Sequence, residues 1–434
     1  MARAIVIGAG LAGLKAALEL RAVGLDVVVL EARARVGGRA FSFRDPADGT
    51  LLDNGQHVIL GCCTEFLKLA HEVGVPDAVA LPPALAVPVY KDGERSMLAS
   101  LPAAGPLHLA AGMLRYRHLS LRGRLTALKA AARLARGGPA GPCTFADWLK
   151  GQGHTADDIA ALWNLLTVSV FNADAAELDA QAAIRGFRFG FEGGPSKAAL
   201  GLMRRPLGDV AEAARRRLEA AGVPVHLRAR VESLAFAQGR VCGVRLADGH
   251  TLASEVVVAA VPPAHLSRLV RTLPQSADLV ADLDQFGVNP ILNVYLWYSR
   301  PVMSDVALAA VKSPLQFVFN RGELVGGPPG LIALSLSAAR EWVGIDKGMI
   351  LRRLLPELEH ILPYAASARI ERARLVWQSD ATVVLTPNAA RRRAFPATAW
   401  PGLTLAGDWT ATDWPCSMES AIISGTRAAR AALA

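Results

Sequence analysis

Apolar and polar positions along the start of the chain predict a strand, a helix and a second strand, in that order. Residues 4–7 form a short apolar run of strand type, residues 14–23 are an Ala- and Leu-rich helical stretch, and residues 26–30 form a second apolar run. A Gly-Ala-Gly-Leu-Ala-Gly loop at residues 8–13 joins the first strand to the helix, and Glu31 follows the second strand. The pattern therefore predicts a β–α–β unit with a glycine loop ahead of its helix and an acid at its far end.

The glycines of this loop stand where a dinucleotide needs them. Gly8 permits a tight turn, Gly10 lets backbone N–H groups approach a pyrophosphate, and Gly13 lets the helix pack close to the strand. The helix N-terminus then faces the phosphate charge, and Glu31 stands where a carboxylate accepts hydrogen bonds from a ribose. A Gly-rich turn in an ordinary α/β domain is the alternative. The contacts predicted from this unit are Gly8, Gly10, Leu11, Ala12, Gly13, Glu31 and Ala32.

A second glycine pair follows the acid and indicates which dinucleotide is bound. Residues 35–39 are Arg-Val-Gly-Gly-Arg, so Gly37 and Gly38 bring another backbone loop to the same pyrophosphate and Arg39 can neutralise its charge. Plain nicotinamide enzymes seldom carry this element. The combination resembles the flavin amine oxidase and phytoene desaturase superfamily, and this resemblance implies FAD as the cofactor. It also implies an α/β fold, with a Rossmann-like FAD-binding domain of the glutathione-reductase/amine-oxidase type and an interleaved α+β substrate domain.

Both domains are expected to be discontinuous in sequence. The FAD-binding domain is predicted to comprise residues 1–95, 205–265 and 400–434, and the substrate, membrane-facing domain residues 96–204 and 266–399. The strands predicted for the substrate-domain sheet are residues 288–298, 315–319, 331–337 and 374–385. The helices predicted outside the first unit include residues 64–73, with Thr64 as a candidate cap, and residues 346–362.

Two further segments are expected to reach the flavin. In the superfamily, the stretch after the second glycine pair returns to the ring; here residues 53–57 are Asp-Asn-Gly-Gln-His, and Gly55 allows close backbone approach. The last helix, which starts near Ser417, is expected to point its N-terminus at the pyrimidine end of the flavin. The contacts that the resemblance implies here are Asn54, Gly55, Gln56, Gly407, Asp408, Met418 and Ala421, with the backbone of Val231 at the adenine.

The segment from Asp53 to Cys62 resembles a narrower group, the squalene-associated flavoproteins, which are hydroxysqualene dehydroxylases of bacterial hopanoid synthesis. Asp-Trp-Thr at residues 408–410 and Trp-Pro at residues 414–415 fit the same group. The resemblance implies that reduced FAD delivers hydride to hydroxysqualene, a C30 isoprenoid, with loss of water to give squalene. Squalene-synthase-like enzymes would act upstream. A carotenoid desaturase of the phytoene type, with the opposite hydride direction, stays an alternative.

Such a reaction needs an acid near the substrate oxygen, aromatic faces near the cation and an apolar tunnel that excludes water. His57 is the candidate proton donor, although a histidine in this loop can equally hydrogen-bond the flavin or the backbone. Gln56 is expected to orient the ring, and Glu419 is a candidate acid or a helix-cap partner. The candidate aromatic residues are Tyr295, Trp297, Trp409 and Trp414, and alternation places Asn293, Tyr295 and Trp297 on one strand face.

Composition narrows the cellular setting. Of 434 residues, 52% are hydrophobic and 20% are charged, and no uninterrupted apolar stretch is long enough to predict a transmembrane helix. The apolar N-terminal run belongs to the glycine loop rather than to a signal peptide, so the chain is expected to be cytoplasmic. The 5 cysteines show no CxxC spacing, which suits a reducing compartment and argues against zinc.

Residues 101–136 carry basic residues and interleaved leucines but no acidic residue. A basic amphipathic helical region of this kind can lie in a bilayer interface with its arginines among anionic headgroups. The net charge of +9 fits the same surface, since no nucleic-acid motif accompanies it. We therefore expect peripheral association with the inner face of the cell membrane. A helical cap whose basic face is merely solvated is the alternative.

Two other protein classes share the superfamily fold. A soluble amine oxidase needs a lysine close to the flavin and an aromatic cage, and Lys15 and Lys68 are misplaced for that role. Prenyl-binding chaperones related to Rab GDP-dissociation inhibitors use the fold without flavin, but the intact phosphate loop with Glu31 and Arg39 argues against that class. A yellow protein with flavin absorbance would separate the enzyme from the chaperone.

Overall fold

The computed structural model describes residues 3–101, 103, 107–134, 136–139 and 141–434. The basic region predicted at 101–136 therefore lies partly outside the described residues, at 102, 104–106 and 135. In chain order, the strands are β1 (Arg3–Ile7), β2 (Asp26–Leu30), β3 (Ser42–Arg44), β4 (Leu51–Asp53), β5 (Val58–Leu60), β6 (Val79–Ala80), β7 (Ala86–Lys91), β8 (Glu94–Ala99), β9 (Leu200–Met203), β10 (Val225–His226), β11 (Val231–Ala237), β12 (Arg240–Leu246), β13 (Thr251–Ala253), β14 (Val256–Ala259), β15 (Val288–Tyr298), β16 (Ala307–Ala310), β17 (Phe317–Asn320), β18 (Leu331–Leu336), β19 (Ile370–Val383) and β20 (Leu403–Leu405).

Helices cover the faces of the sheets and form a separate layer between β8 and β9. In chain order, the α-helices are α1 (Leu11–Ala22), α2 (Thr64–Glu72), α3 (Leu107–Arg115), α4 (Leu121–Leu134), α5 (Phe145–Gly151), α6 (Ala156–Asp158), α7 (Asn164–Phe171), α8 (Ala180–Glu192), α9 (Pro195–Ala198), α10 (Asp209–Ala220), α11 (Pro263–Val270), α12 (Ala277–Leu283), α13 (Arg321–Leu324), α14 (Lys347–Ile361), α15 (Pro363–Ala366) and α16 (Met418–Ala432). Within the described ranges, none of them is long and apolar enough to cross a bilayer.

Strand β1 lies at the centre of a five-stranded parallel sheet of order β10-β2-β1-β14-β20. Ala4 is paired with Val27 on one side and with Val256 on the other. Both faces of the sheet are covered, since the residues of β1 from Ala4 to Ile7 are at most 5% exposed, and this explains a continuous apolar run instead of an alternating one. The predicted β–α–β unit is confirmed, with the helix beginning at Leu11 rather than at residue 14.

A seven-stranded sheet of order β19-β15-β18-β17-β16-β7-β8 forms the second domain. Its neighbours are antiparallel except β16 and β7. The prediction at 288–298 is confirmed as β15, while the strands predicted at 315–319 and 374–385 are shifted to β17 and β19. The domain boundaries stay a prediction. Within segment 1–95, which was assigned to the FAD-binding domain, strand β7 pairs with β16 of the second sheet.

There are also three smaller antiparallel sheets among the described residues: β3-β4, β5-β9-β6 and β11-β12-β13. The largest cluster of buried apolar side chains runs from helices α3–α8 to the loop after β20, and it includes Trp163, Phe187 and Trp409. A second cluster fills the space between the parallel sheet and helices α1, α2, α10 and α16. The helix layer and the C-terminal loop therefore share one core.

The cap of α2 differs from the prediction. Thr64 is the first helical residue, and Cys63 occupies the N-cap position without a side-chain hydrogen bond. Glu419 of α16 instead accepts hydrogen bonds from the backbone N–H groups of Glu65 and Phe66, at 2.9 and 2.7 Å. A residue from the far end of the chain thus caps α2, which no local pattern could reveal.

Candidate functional site

The glycine loop at 8–13 contacts the second glycine pair through the backbone. Gly10 and Gly37 form an isolated parallel bridge, and the N–H of Gly37 donates to the carbonyl oxygen of Ala9 at 2.8 Å. A Cβ on Gly38, which has φ +59°, would lie 3.2 Å from the Cα of Gly10. The two loops that the sequence assigned to one pyrophosphate therefore lie side by side.

Two glycines of the loop are required by the protein's own packing. Gly8 has φ +100°, and a Cβ there would lie 2.5 Å from the carbonyl oxygen of Ala260. A Cβ on Gly13 would lie 1.9 Å from the carbonyl oxygen of Gly8, so the helix passes this close to the strand only because Gly13 has no side chain. Both positions therefore have a structural reason to be glycine.

Gly10, unlike Gly8 and Gly13, is not required by contacts within the protein, so its surroundings show whether the loop fits FAD. Its φ of −73° suits any residue, and a Cβ there would meet no atom beyond its chain neighbours nearer than the Gly38 Cα at 3.9 Å. No side chain caps helix α1, whose first N–H groups belong to Leu11, Ala12 and Gly13. The space beside Gly10 is small enough for one methyl group to occupy, and it adjoins the free backbone N–H groups of α1. Such a site fits the pyrophosphate of FAD.

Glu31 holds this loop from the end of β2. Its carboxylate is 8% exposed and accepts the N–H of Ala9 and the N–H of Arg33, each at 2.8 Å. A carboxylate has further lone pairs, so these bonds leave acceptor capacity for ribose hydroxyls. Ala32 is exposed beside it. The N–H of Ala229 donates to the Glu31 carbonyl at 2.8 Å, which brings the start of β11, and with it Val231, next to the acid.

Arg39 joins the N-terminal loops to the C-terminal one. Its guanidinium donates to the Asp408 carboxylate at 2.5 Å and to the carbonyl oxygen of Ala381 at 3.3 Å. Asp408 is 4% exposed. The positive charge predicted to neutralise a pyrophosphate is thus already shared with a buried carboxylate, and the pair fixes residue 408 beside the second glycine loop.

The loop after β20 is organised by a residue that the sequence did not single out. Arg393 donates to the backbone carbonyls of Asp408, Trp409 and Trp414 at 2.9, 3.2 and 2.7 Å. Gly407 has φ +145°, and its N–H donates to the Ser424 hydroxyl at 2.8 Å, which ties the loop to α16. Arg393 lies in a run of arginines, and nothing in that run marks it as the one that turns inward.

Helix α16 begins beside this loop, as predicted. Ser417 is its N-cap, accepting from the N–H of Ser420 at 3.3 Å. Met418 and Ala421 are half-buried on the first turn. Glu419 is 1% exposed, and burial raises its pKa to about 7, but both oxygens face the α2 amides. Its geometry is that of a cap partner rather than of the expected catalytic acid.

The 53–57 segment is held by side chains of β15. Asn293 donates to the carbonyl of Asn54 at 3.3 Å and accepts the N–H of Gln56 at 3.4 Å. The Tyr295 hydroxyl donates to the carbonyl of Asp53 at 2.8 Å. A Cβ on Gly55 would lie 2.9 Å from the Asn293 amide nitrogen, so the backbone does approach another group closely here, and that group is a side chain of β15.

Asn54 links this segment to the glycine loops. Its side-chain amide donates to the carbonyl of Arg39 at 2.7 Å, and its oxygen accepts the N–H of Phe41 at 3.3 Å. The segment that was expected to reach the flavin ring is therefore attached to the residue that pairs with Asp408. This places the predicted contacts at 37–39, 54–56 and 407–408 in one region.

A buried ion pair lies behind the same segment. Arg321 of α13 donates to Asp53 Oδ2 at 3.0 Å and to the Gln56 side-chain oxygen at 3.3 Å, and both charged side chains are 3% exposed. Asp53 Oδ1 also accepts from the Ser42 hydroxyl and the Leu207 N–H. No local pattern marks Arg321, because its partner Asp53 is 268 positions away along the chain.

His57 has geometry that opposes the role of proton donor. Its Nδ1 lies 2.9 Å from the carbonyl oxygen of Gly55, and burial lowers the pKa of the imidazole below its usual value. A neutral ring that donates Nδ1–H to that carbonyl has only an acceptor left at Nε2. The alternative of a structural hydrogen bond to the backbone is the one that the structure places here.

The four candidate aromatic residues have different surroundings. Trp409 and Tyr295 are fully buried, and Trp409 donates to the carbonyl of Val261. Trp297 lies under the Arg372 guanidinium, 3.7 Å from the ring centroid. Trp414 is half-buried and stacks on Phe189 with centroids 4.0 Å apart and planes 2° from parallel. Of the four, Trp414 has the accessible ring.

Comparison with known proteins identifies the family and two relatives that match over nearly the whole chain. The model of a family described as flavin containing amine oxidoreductase matches residues 11–433. A hydroxysqualene dehydroxylase of Zymomonas mobilis is 27% identical and covers 99% of this chain and 98% of its own length. A chloroplastic/chromoplastic 15-cis-phytoene desaturase of Glycine max is 26% identical and covers 98% of this chain and 78% of its own length.

A solved structure supports the fold. Cyclohexylamine oxidase from Brevibacterium oxydans superposes with a TM-score of 0.73 at 19% identity, covering 99% of this chain and 98% of its own. At this identity the likeness concerns the fold alone. The predicted α/β class, with a Rossmann-like domain interleaved with an α+β domain, is confirmed.

Proposed function

The chain belongs to the flavin containing amine oxidoreductase family and is an FAD-dependent oxidoreductase, and from that premise we propose that it reduces hydroxysqualene to squalene. The observation that carries the proposal is the similarity to the hydroxysqualene dehydroxylase of Zymomonas mobilis, which extends over 99% of this chain and 98% of the relative. A match of this length includes both domains, so it concerns the substrate side as well as the nucleotide loops.

The overall reaction balances without another reactant. An allylic alcohol and a proton lose water to give a cation, and a hydride then converts the cation to the hydrocarbon. Bound FAD in its two-electron-reduced form supplies that hydride. The protein must hold an apolar chain, exclude water and shield a cation.

The described residues supply several of these functions. Trp414 is half-buried and stacked on Phe189 just before α16, and we expect its ring to stabilise the cation. His57 and Gln56 are held by Gly55 and Arg321, so their expected task is to position the loop. Phe187 of α8 and Trp409 of the C-terminal loop belong to one apolar cluster, and we expect the substrate's hydrocarbon chain to lie beside it.

The experiment is anaerobic turnover of chemically reduced protein with hydroxysqualene, scored by squalene formation. We expect stoichiometric squalene in a single turnover and flavin reoxidation at the same rate. The matched control is the oxidised protein, which should give none. Reoxidation without squalene would contradict the proposal.

A phytoene-type desaturase is the second candidate, because the Glycine max relative also spans 98% of this chain. It would use oxidised flavin and remove hydride from its substrate. Oxidised protein should then bleach on addition of phytoene, and reduced protein should leave hydroxysqualene unchanged. This pair of outcomes would favour the desaturase over the dehydroxylase.

An amine oxidase is not favoured by the lysines weighed from the sequence. Lys15 is in ion pairs with Glu19 and Glu72, and Lys68 is in an ion pair with Glu65. None of these pairs involves the segments at 37–39, 54–56 or 407–408. Benzylamine and putrescine as substrates should therefore leave the flavin spectrum unchanged.

A further inference from the structure

The helical hairpin formed by α3 and α4 exposes leucines that a packed helix would normally bury. Leu114, Leu121 and Leu125 are 46%, 76% and 56% exposed. Leu121 and Leu125 are four residues apart and share one face of α4. The opposite face is packed, since Ala127, Ala130 and Leu134 of the same helix are at most 1% exposed. We define the leucine–arginine surface as Leu114, Arg115, Arg117, Leu121, Arg122, Leu125 and Lys129.

The exposure of these leucines is fixed by the hairpin itself. Arg124 donates to the carbonyl oxygens of Leu114 and Leu119, which joins the end of α3 to the start of α4. In the connecting turn, the Tyr116 hydroxyl donates to the carbonyl of Ala161 at 2.8 Å. His118 makes a ring-nitrogen hydrogen bond to the Val89 carbonyl at 2.9 Å. The hairpin is thus anchored to the substrate domain with its apolar edge turned outward.

The charge around the leucines has one sign. Residues 107–139 contain no Asp or Glu. Within the described part of the chain, no carboxylate pairs with Arg115, Arg117, Arg122 or Lys129. The nearby Asp157 is paired with Lys312, and Asp158 caps its own helix. Long cationic side chains with no carboxylate partner therefore ring an apolar edge.

We propose that the leucine–arginine surface docks on an anionic lipid bilayer, with the leucines entering the interface and the cations binding headgroup phosphates. The charge selects this occupant, because two copies of the surface would repel each other, whereas an anionic bilayer attracts every cation of the ring. Apolar tips among basic residues are typical of helices that lie in a bilayer interface. The proposal does not depend on which reaction the protein catalyses.

The position of the hairpin gives this docking a consequence. Ala127, Ala130 and Leu134 belong to the same apolar cluster as Phe187 and Trp409. The core therefore continues from the back of the docking helix to the loop that precedes α16. Docking here places the substrate domain, rather than the parallel sheet, against the lipid.

The test is sedimentation of the purified FAD-loaded protein with vesicles of phosphatidylglycerol and phosphatidylcholine, against vesicles of phosphatidylcholine alone. We expect binding to the anionic vesicles, lost as salt rises from 0.01 to 1 M because the Debye length falls from about 30 to about 3 Å. Leu121→Ser/Leu125→Ser should weaken binding roughly tenfold or more. Arg115→Gln/Arg122→Gln should weaken it roughly 10- to 30-fold.

Matched control variants lie elsewhere on the surface. Val343→Ser/Tyr364→Ser removes two side chains that are 61% and 71% exposed. Arg216→Gln/Arg217→Gln removes two exposed charges from α10. Both controls should bind as the parent does, and all four variants should melt as the parent does, because exposed substitutions usually change stability by about 0.5 kcal/mol or less.

Three results would overturn the proposal. The first is equal binding to neutral and anionic vesicles. The second is a loss of binding in the control variants as large as in the surface variants. The third is a dimer in sedimentation velocity without lipid that Leu121→Ser/Leu125→Ser converts to monomer. Because none of these readouts measures turnover, failure here is distinguishable from failure of the proposed reaction.

Discussion

The loop ahead of α1 and the segment after β4 converge on one region, but they are held in different ways. The Gly8 N–H donates to the carbonyl of Leu30, and Glu31 accepts the Ala9 N–H, so the partners of the loop lie in the next strand. The 53–57 segment depends on Asn293, Tyr295 and Arg321, whose side chains come from the other domain.

The glycine loop and the 53–57 segment should therefore be destabilised by different kinds of substitution. The loop is built from backbone, so a substitution changes it by adding atoms where two chains already touch. The segment is built from buried polar side chains, so a substitution changes it by removing a partner and leaving another group unsatisfied. One part is therefore sensitive to added volume and the other to lost hydrogen bonds or charge.

The largest expected effect is on the segment, from Arg321→Met. The variant leaves the Asp53 carboxylate buried without its cation, which typically costs about 3–5 kcal/mol of unfolding free energy. Chemical denaturation of the FAD-loaded protein measures this loss. The matched control is Arg340→Met, because the Arg340 and Glu177 side chains are 52% and 35% exposed and the loss of such a pair should cost about 1 kcal/mol or less. Equal losses of unfolding free energy in the two variants would mean that the buried pair stabilises the fold no more than the exposed pair does.

The second prediction separates two glycines of the loop. Gly13→Ala places a Cβ 1.9 Å from the Gly8 carbonyl oxygen, so the protein itself must shift, at a cost of about 1–3 kcal/mol or more. Gly10→Ala meets no such atom. We expect Gly10→Ala to leave the stability of the apoprotein unchanged. It should bind FAD roughly 5- to 150-fold more weakly, because the added methyl group occupies space that the pyrophosphate needs, at a cost of about 1–3 kcal/mol. Flavin fluorescence and apoprotein melting measure the two quantities.

An unchanged FAD affinity in Gly10→Ala would contradict the placement of the pyrophosphate. Equal destabilisation of the apoprotein by both alanines would contradict the distinction between them. Gly24→Ala is not a suitable control, since Gly24 has φ +89°. Gly151→Ala serves instead, because its φ is not in the left-handed region and a Cβ there meets nothing within 4 Å.

The same contrast explains what the sequence could predict. The β–α–β unit, both glycine loops and the start of α16 were predictable, because each depends on residues that are neighbours along the chain. Arg321 and Arg393 were not, since their partners are brought near only by the tertiary fold. Strands β7, β8 and β16 were not predicted, and length is not the reason, since β18 has six residues as β7 and β8 do. The cap of α2 was missed because Glu419 supplies it from α16.

The third prediction concerns a single buried hydroxyl. Tyr295→Phe removes the donor to the Asp53 carbonyl and leaves that buried oxygen without this bond, which costs about 1–3 kcal/mol. Tyr298 provides a control on the same strand, because its buried hydroxyl has no hydrogen-bond partner among the described residues. Tyr298→Phe should therefore be neutral or slightly stabilising. If both phenylalanines behaved alike, the Tyr295 hydroxyl would not contribute to holding the 53–57 segment.

The smallest expected effect is a pH dependence that concerns His57. Burial lowers the pKa of this imidazole below the ordinary value of about 6.5, so the unfolded chain binds a proton before the folded chain does. Stability from this group is therefore fully present above about pH 6.5 and falls as the pH decreases through the window below it, by at most about 1.4 kcal/mol per pH unit. His57→Gln should flatten that part of the stability profile relative to the parent, while the contributions of the other buried histidines remain in both proteins.

The same variant also tests whether His57 supplies the proton. In single-turnover reduction of hydroxysqualene, the rate of His57→Gln should depend on pH between 6 and 8 as the parent's rate does, because a ring that is already neutral cannot supply the proton. An activity that falls as the pH rises through the ordinary histidine range, and that loses this dependence in His57→Gln, would restore the imidazolium as the acid.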